Sequence, residues 1–202
     1  MLETLGETLL AGDFGLLYFA GSQHRPWLTP IMYGLTSLGD GWPIVVLSIL
    51  SYLGLVFLRR RREAVVLFLV TLTAFLLMVA LKNTVGRERP DVAWRLIDLP
   101  SDFSFPSGHA FCGLTFYGLL TLILARGQKP IVRRIVLAVG FSVALGVGVS
   151  RIYLGVHYPL DVLGGWLGGS AMLLVGQSLI APTGRAGTEP PPDSTDPVAQ
   201  SG

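Results

Sequence analysis

The chain has 202 residues, of which 51% are apolar and 14% charged, and its formal net charge is +2. A soluble domain carries about a quarter charged residues, so the composition indicates a single membrane domain and argues against a nucleic-acid-binding protein. The one cysteine, Cys112, lies in an apolar run and excludes an intrachain disulfide.

Residues 1–42 are predicted to lie at the membrane surface as a helix followed by a broken connector. In residues 2–20 the early leucines have helical spacing, with three acidic residues, including Asp13, among them. Such acids make a poor spanning segment, which favours a helix in the interface; a short first transmembrane helix is the alternative. The start lacks a basic region, so no cleavable signal peptide is expected. Residues 21–42 contain prolines, glycines and tryptophans, typical of a connector anchored at the headgroups.

Five apolar runs after this connector are each long enough to cross the hydrocarbon of a membrane. They cover residues 43–58, 64–81, 110–125, 135–149 and 160–180. At a rise of about 1.5 Å per residue such runs extend roughly 24 to 31 Å, enough to cross with their flanks. The predicted fold class is an all-α polytopic membrane bundle of five transmembrane helices plus an N-terminal amphipathic or short sixth helix.

Basic residues between the runs predict the side of the membrane on which each loop lies. Residues 59–62 and 126–134 are rich in arginine and follow the first and third runs, so both lie on one side. By the positive-inside rule that side is the cytoplasm. Residues 82–109 and 151–161 then lie together on the extracytoplasmic side of the cell membrane.

The C-terminal residues 182–202 lack an apolar period and are rich in proline, glycine, serine and threonine. This composition predicts a disordered tail, and the topology places it in the cytoplasm. The expected domain organisation is an N-terminal interfacial helix and connector at 1–42, a catalytic transmembrane bundle at 43–181, and this tail.

The stretch Pro106-Ser107-Gly108-His109 at the start of the third run predicts an anion-binding helix start. Pro106 suits the first helical position, where its missing N–H costs nothing. The N–H groups of Ser107, Gly108 and His109 are then free for a phosphate at the positive helix end. Gly108 also lets the backbone approach a ligand closely.

Three basic residues, Lys82, Arg89 and Arg151, add positive charge on the same side of the membrane. The planar fork of arginine suits two phosphate oxygens at once, and lysine acts as a point charge. These three residues are therefore predicted to bind phosphate. For Arg87, anchoring to anionic headgroups is an equally favoured alternative.

His157 and Asp161 are spaced i, i+4 across a helix start, so their side chains are predicted to meet. A carboxylate on one imidazole nitrogen leaves the other with a free lone pair, which makes His157 a nucleophile for phosphorus. His109 is predicted to protonate the leaving group as general acid. A simple capping role for Asp161 in the first helical turn is the alternative.

The loop 91–105 contains three acids, Asp91, Asp98 and Asp102, interleaved with bulky and basic residues. A two-metal centre needs several acids near the site, so no metal and no cofactor are expected. Arginine and lysine supply the charge neutralisation instead. The loop is interpreted as a lid or an interfacial rim.

Three stretches together resemble the signature of the type-2 phosphatidic acid phosphatase superfamily. They are Lys82-x6-Arg89-Pro90, Pro106-Ser107-Gly108-His109 and Ser150-Arg151-x5-His157-x3-Asp161. Every signature position is filled, and the resemblance spans about residues 40 to 180, so it is far more specific than one short motif.

The resemblance implies a metal-independent phosphomonoesterase or diphosphatase on a helical bundle. By the family pattern, His157 is the nucleophile that forms a phosphohistidine, Asp161 orients it, and His109 protonates the leaving group. The phosphate-binding residues implied by the pattern are Lys82, Arg89, Ser107, Gly108 and Arg151.

The expected function is that of an integral-membrane phosphatase acting on undecaprenyl diphosphate, phosphatidylglycerophosphate or phosphatidic acid. Its expected partners are this lipid substrate and the bilayer, without nucleic acid. The alternatives are a lipid phosphotransferase using the same site and a non-catalytic lipid-binding member. A transporter is disfavoured because the polar groups lie at one edge of the membrane rather than at its middle.

Overall fold

The computed structural model describes residues 2–181, with side chains from residue 11 onward. These residues form seven α-helices joined by loops, and no β-strand. In chain order the helices are α1 (Leu2–Ser22), α2 (Leu28–Gly39), α3 (Gly41–Phe57), α4 (Arg61–Val85), α5 (Gly108–Ala125), α6 (Pro130–Tyr153) and α7 (Pro159–Ile180). The predicted disordered tail, residues 182–202, lies outside the described residues.

Helices α4 to α7 are each long and apolar enough to cross a membrane. Helices α2 and α3 meet the same criterion only together, and they join at a bend of 62°. The described part of the chain therefore has four or five spans. The predicted all-α polytopic membrane fold is confirmed, whereas the division into three segments along the chain stays a prediction.

The predicted connector, residues 21–42, contains the twelve-residue helix α2. Pro30 lies in the first turn of this helix, where a missing N–H breaks no intrahelical hydrogen bond. The chain then breaks at Asp40, an extended residue between Gly39 and Gly41, before α3 begins. The two glycines thus mark a bend between two helices, and the irregular part of the segment is confined to residues 23–27 around Pro26.

Helix α6 extends beyond both ends of the apolar run 135–149 that predicted it. It starts at Pro130, a residue suited to the first turn of a helix. Arg133 and Arg134 of the basic loop lie inside the helix, because arginine is a good helix former whose long side chain reaches water. At the other end the helix continues through Arg151, so a rigid element holds this cation.

Helix α5 packs against α4, α6 and α7 and is the most buried of the helices. Glycines on α7 allow a close approach. A Cβ atom on Gly165 would lie 2.7 Å from the backbone oxygen of Ser107, and one on Gly169 would lie 2.9 Å from that of Phe111. The start of α5 therefore lies beside the start of α7, which brings the two histidine-bearing stretches to one end of the bundle.

Helix α1 lies across the ends of α6 and α7 at this same end of the bundle. Its Asp13 and Leu17 are buried. Asp13 accepts the N–H of Leu160 at 2.8 Å, and just beyond the helix His24 Nε2 lies 2.9 Å from the backbone oxygen of Tyr153. These contacts are all at the ends of spans, as expected of a helix in the membrane interface.

Candidate active site

The three predicted stretches meet at one cavity of about 810 Å³. Their side chains that line it are those of Lys82, Arg89, His109, Arg151 and His157, with the backbone of Gly108 beside them. Ser107 and Asp161 are buried and do not line the cavity. One cavity therefore holds both histidines and all three predicted phosphate-binding cations.

His157 lies in the loop between α6 and α7 and is almost completely buried. Its Nε2 atom lies 3.0 Å from Arg89 Nη1. A guanidinium only donates hydrogen bonds, so Nε2 is the acceptor and the proton of the neutral imidazole is on Nδ1. Burial lowers the pKa of His157 to about 3, against the opposing effect of Asp161. The side chain is therefore neutral near pH 7, with a lone pair beside the cations.

The Nδ1 atom of His157 faces two oxygen atoms. It lies 3.3 Å from Ser104 Oγ and 3.5 Å from Asp161 Oδ2, and the second distance is too long for a normal hydrogen bond. Ser104 donates its hydroxyl hydrogen to Asp161 Oδ2. The predicted contact between His157 and Asp161 is thus bridged by Ser104, whose oxygen can accept the Nδ1 proton.

Asp161 is fully buried in the first turn of α7 and uses both of its oxygen atoms. Oδ2 accepts the N–H of Tyr158 at 2.9 Å, which is the capping contact considered as the alternative role. Oδ1 pairs with Arg87 Nη1 at 2.6 Å. Asp161 therefore caps its helix and also faces His157, so the two predicted roles do not exclude each other.

Arg87 contacts two carboxylates inside the protein rather than pointing to headgroups. Besides Asp161, it pairs with Asp13, at 2.6 Å from Nη2 to Oδ2. Its guanidinium carbon also lies 4.1 Å from the ring centroid of Tyr158, a cation–π contact. The guanidinium therefore links helix α1 to the start of α7.

Lys82 and Arg89 share one carboxylate, that of Asp102. Its Oδ2 lies 2.8 Å from Lys82 Nζ, and its Oδ1 lies 2.6 Å from Arg89 Nη2. Burial alone would raise the pKa of Asp102, but the hydrogen bonds from the two cations outweigh it and lower the pKa to about 2. Lys82 also donates to the backbone oxygen of Phe103. The 91–105 loop therefore places an anion on two of the predicted phosphate ligands.

The start of α5 differs from the predicted anion site in two respects. The helix begins at Gly108 with Ser107 as its N-cap, so Pro106 precedes the first turn instead of occupying it. Ser107 donates its N–H to the backbone oxygen of Asp161 at 2.9 Å, because α7 approaches so closely. Of the three predicted donors, Gly108 and His109 have N–H groups without a backbone acceptor among the described residues.

His109 lies at the cavity wall with its Nε2 atom 3.0 Å from Asp40 Oδ1. Asp40 is the residue at the bend between α2 and α3. The preceding Gly39 packs so tightly on the histidine ring that a Cβ atom there would lie 2.5 Å from His109 Cδ2. The bend therefore fixes the orientation of the ring.

Arg151 is buried in the last turn of α6, where it donates from Nη1 to Thr36 Oγ1 at 2.6 Å. No carboxylate among residues 11–181 pairs with it directly. The described side chains also include no group of three His, Cys, Asp or Glu that would hold a metal ion. The positive charges that line the cavity in the described residues are those of Lys82, Arg89 and Arg151.

The remainder of the cavity is an apolar groove between α3 and α4. Its lining comprises Ile44, Val45, Ile49, Phe68, Leu72, Phe75 and Met78. The groove is continuous with the cationic part of the cavity, so one molecule with an apolar chain and a phosphate group fits both parts.

Sequence reasoning missed four residues that contact the histidines and their partners: Asp13, Asp40, Arg87 and Ser104. For Asp13 and Asp40 a signal was present, because an acid at a membrane edge is costly and usually has a partner. Arg87 gives the same signal, but anchoring to anionic headgroups explains it equally well. Nothing in the local sequence distinguishes Ser104 from an ordinary loop serine.

Comparison with known proteins gives consistent matches. Residues 63–181 match the model of the PAP2 superfamily. Phosphatidylglycerophosphatase B of Bacillus subtilis is 35% identical over 146 residues, covering 71% of this chain and 70% of the relative. An undecaprenyl-diphosphatase of Sulfolobus acidocaldarius is 35% identical over 120 residues, covering 57% of this chain but only 54% of the relative.

A solved structure agrees with these sequence matches. The crystal structure of a transmembrane PAP2-type phosphatidylglycerolphosphate phosphatase from Bacillus subtilis superposes with a TM-score of 0.77 at 32% identity. The superposition covers 85% of each chain. Sequence and fold therefore lead to the same group of proteins.

Proposed function

The chain belongs to the PAP2 superfamily of membrane lipid phosphatases, and from that membership we propose that it hydrolyses a lipid phosphate or diphosphate through a phosphohistidine on His157. The observation that carries the proposal is the Nε2 lone pair of His157, which lies beside Arg89 in the cavity that also holds His109. A nucleophile and a proton donor in one cationic cavity are what phosphoryl transfer to an imidazole requires.

The proposed reaction has two displacement steps at phosphorus. In the first, Nε2 of His157 forms a bond to phosphorus, the bond from phosphorus to the leaving oxygen breaks, and His109 gives its proton to that oxygen. In the second, water attacks the phosphohistidine, His109 takes a proton from the water, and phosphate leaves as the bond to nitrogen breaks. Both histidines thereby return to their starting states.

The phosphoryl group is proposed to be held by Lys82, Arg89 and Arg151 and by the N–H groups at the start of α5. These groups supply the positive charge that the transferred group needs, so the proposal includes no metal ion and no cofactor. The substrate phosphate replaces Asp102 as the anion on Lys82 and Arg89.

The apolar groove between α3 and α4 is proposed to hold the chain of the lipid. Two relatives are named for phosphatidylglycerophosphate and undecaprenyl diphosphate, so these two lipids and phosphatidic acid are the candidate substrates. The enzyme is proposed to reside in the cell membrane, with the cavity at its extracytoplasmic face, because the arginine-rich loops lie at the opposite ends of the spans.

The test is phosphate release from the three lipids by the purified protein in the presence of EDTA. His157→Ala should abolish turnover and any acid-labile phosphoenzyme, while His24→Ala is the matched control, because His24 does not line the cavity. Phosphoenzyme in the His157→Ala protein would reject the nucleophile. Loss of wild-type activity in EDTA would reject the metal-free mechanism. With a radiolabelled substrate phosphate, label recovered in a second lipid would indicate a phosphotransferase.

A further inference from the structure

The N-terminal helix carries a buried carboxylate that is linked to the active site. Asp13 lies on α1, outside residues 63–181 that match the family model. Its side chain has no exposed surface. Oδ2 pairs with Arg87 Nη2 at 2.6 Å, and Oδ1 accepts the N–H of Leu160 at 2.8 Å. This N–H belongs to the first turn of α7, where helix donors have no intrahelical acceptor.

Arg87 joins two carboxylates into one chain of contacts. Its Nη2 atom faces Asp13 and its Nη1 atom faces Asp161, each at 2.6 Å. Both acidic side chains are fully buried, and the Arg87 side chain is 21% exposed. Asp161 in turn faces Nδ1 of His157 through Ser104. A continuous series of polar contacts therefore runs from α1 to the imidazole.

The net charge of this series depends on Asp13. Arg87 with Asp161 alone would form a neutral pair, leaving no net charge behind His157. With Asp13 added, the group carries one net negative charge. When His157 bonds to phosphorus its ring becomes cationic, and a buried negative charge on the far side of the ring stabilises that state.

We propose that Asp13 is a positioning residue for catalysis, which orients Arg87 and offsets its charge so that Asp161 acts on His157 as a net negative group. The inference rests on the proposed role of His157 as nucleophile. It assigns to the N-terminal helix a function in the active site, although that helix carries none of the signature residues.

Three variants test the charge balance. Asp13→Asn keeps the shape and an oxygen acceptor for Leu160 but removes the charge, so the group becomes neutral. Arg87→Gln leaves two uncompensated carboxylates. Asp13→Asn with Arg87→Gln restores one net negative charge. We expect each single variant to lower kcat about tenfold or more with a smaller change in KM. The double variant should have a higher kcat than either single variant.

A matched control separates this role from simple docking of the helix. Phe14 on α1 contacts the ring of Tyr158 at a centroid distance of 5.2 Å and carries no charge. Phe14→Ala should loosen the same helix while leaving kcat within about twofold of the wild type. The proposal is overturned if Phe14→Ala lowers kcat as much as Asp13→Asn, or if the double variant is no better than either single variant.

A second readout does not depend on turnover. The chain has three histidines, so a sample labelled with ¹⁵N-histidine gives few signals, and that of His157 is assigned from its loss in His157→Gln. Asp13→Asn should shift the His157 signal, and Phe14→Ala should not. An unshifted signal in Asp13→Asn overturns the inference. An inactive wild type would instead reject the proposed function and leave this comparison valid.

Discussion

Asp102 is bound by two of the cations that the proposed mechanism uses for phosphate, and its side chain is 53% exposed on the 91–105 loop. A carboxylate in this position competes with phosphate for the same donors. Asp102→Asn should therefore strengthen inhibition by vanadate and inorganic phosphate, lowering their inhibition constants about threefold to fivefold, as expected for a partly exposed ion pair.

The control for this measurement is Asp98→Asn. Asp98 lines the same cavity and lies on the same loop, but it forms no ion pair with Lys82 or Arg89. Its substitution should leave both inhibition constants unchanged. Weaker vanadate inhibition in Asp102→Asn would show that the carboxylate instead holds the two cations in their binding positions.

The buried imidazole of His157 predicts a loss of stability in acid. Its pKa is about 6.5 in the unfolded chain and about 3 in the folded protein. Between these values the unfolded chain binds one more proton, so the free energy of unfolding decreases as the pH falls below 6.5, by up to about 1.4 kcal/mol per pH unit.

Thermal unfolding in detergent between pH 7.5 and 5 checks this effect. His157→Gln removes the titrating group, so its melting temperature should fall less steeply with acidification than that of the wild type. Equal slopes for the two proteins would mean that His157 has the same pKa in the folded and unfolded states, so that burial does not lower it. Above pH 7 the two slopes should agree.

The signature residues were predictable from their order along the chain, but most of their partners were not. Spacing places His157 and Asp161 on one face of a helix start, yet the hydroxyl between them comes from Ser104, more than fifty residues earlier. Asp13 comes from α1 and Asp40 from the bend between α2 and α3. Such contacts depend on how the helices pack, which no local pattern encodes.

At the scale of a helix, the glycines of α7 set how close it lies to α5. A Cβ atom on Gly165 would lie 2.7 Å from the backbone oxygen of Ser107 and 2.8 Å from Ala110 Cβ. Gly165→Ala should therefore lower the free energy of unfolding by about 1–3 kcal/mol and reduce kcat, because it moves the start of α5 away from His157. Chemical or thermal unfolding and turnover measure the two effects.

Gly34→Ala in α2 is the matched control. A Cβ atom there meets nothing within 4 Å, and alanine in a helix interior is favoured over glycine by about 0.5–1 kcal/mol. This variant should be as stable as the wild type or slightly more stable. If Gly165→Ala behaves in the same way, the close contact between α5 and α7 is not needed for the site.

The long apolar runs predicted the helices well because hydrophobic length is a strong local signal. The ends were less predictable: α6 includes residues from both flanking polar stretches. Pro30 and two glycines predict breaks in the segment 21–42, although a proline in a first turn is compatible with a helix. The structure has two breaks in this segment, at residues 23–27 between α1 and α2 and at Asp40 between α2 and α3.

For the molecule as a whole, the arginine-rich loops and the cavity are expected on opposite sides of the membrane. Single cysteines in a Cys112→Ala background test this topology. Asp91→Cys, exposed on the cavity side, should react with an impermeable maleimide on intact cells, and Gln128→Cys, exposed on the other side, should react only after lysis. The reverse pattern would place the cavity in the cytoplasm.

The location of the three stretches at one end of the bundle follows from counting spans, since an even number of crossings returns the chain to the same side. The lateral arrangement did not follow from that count. Neither the groove between α3 and α4 nor the position of α1 across the ends of α6 and α7 is visible in the order of the runs.

The 62° bend between α2 and α3 has a consequence for how head and tail of a substrate are recognised. Asp40 at the bend holds His109, and α3, which begins at the next residue, forms a wall of the groove. A bulkier tail that tilts α3 therefore also displaces the proton donor. Lipids with identical head groups but different chains should then differ in how fast they react, and not only in how tightly they bind.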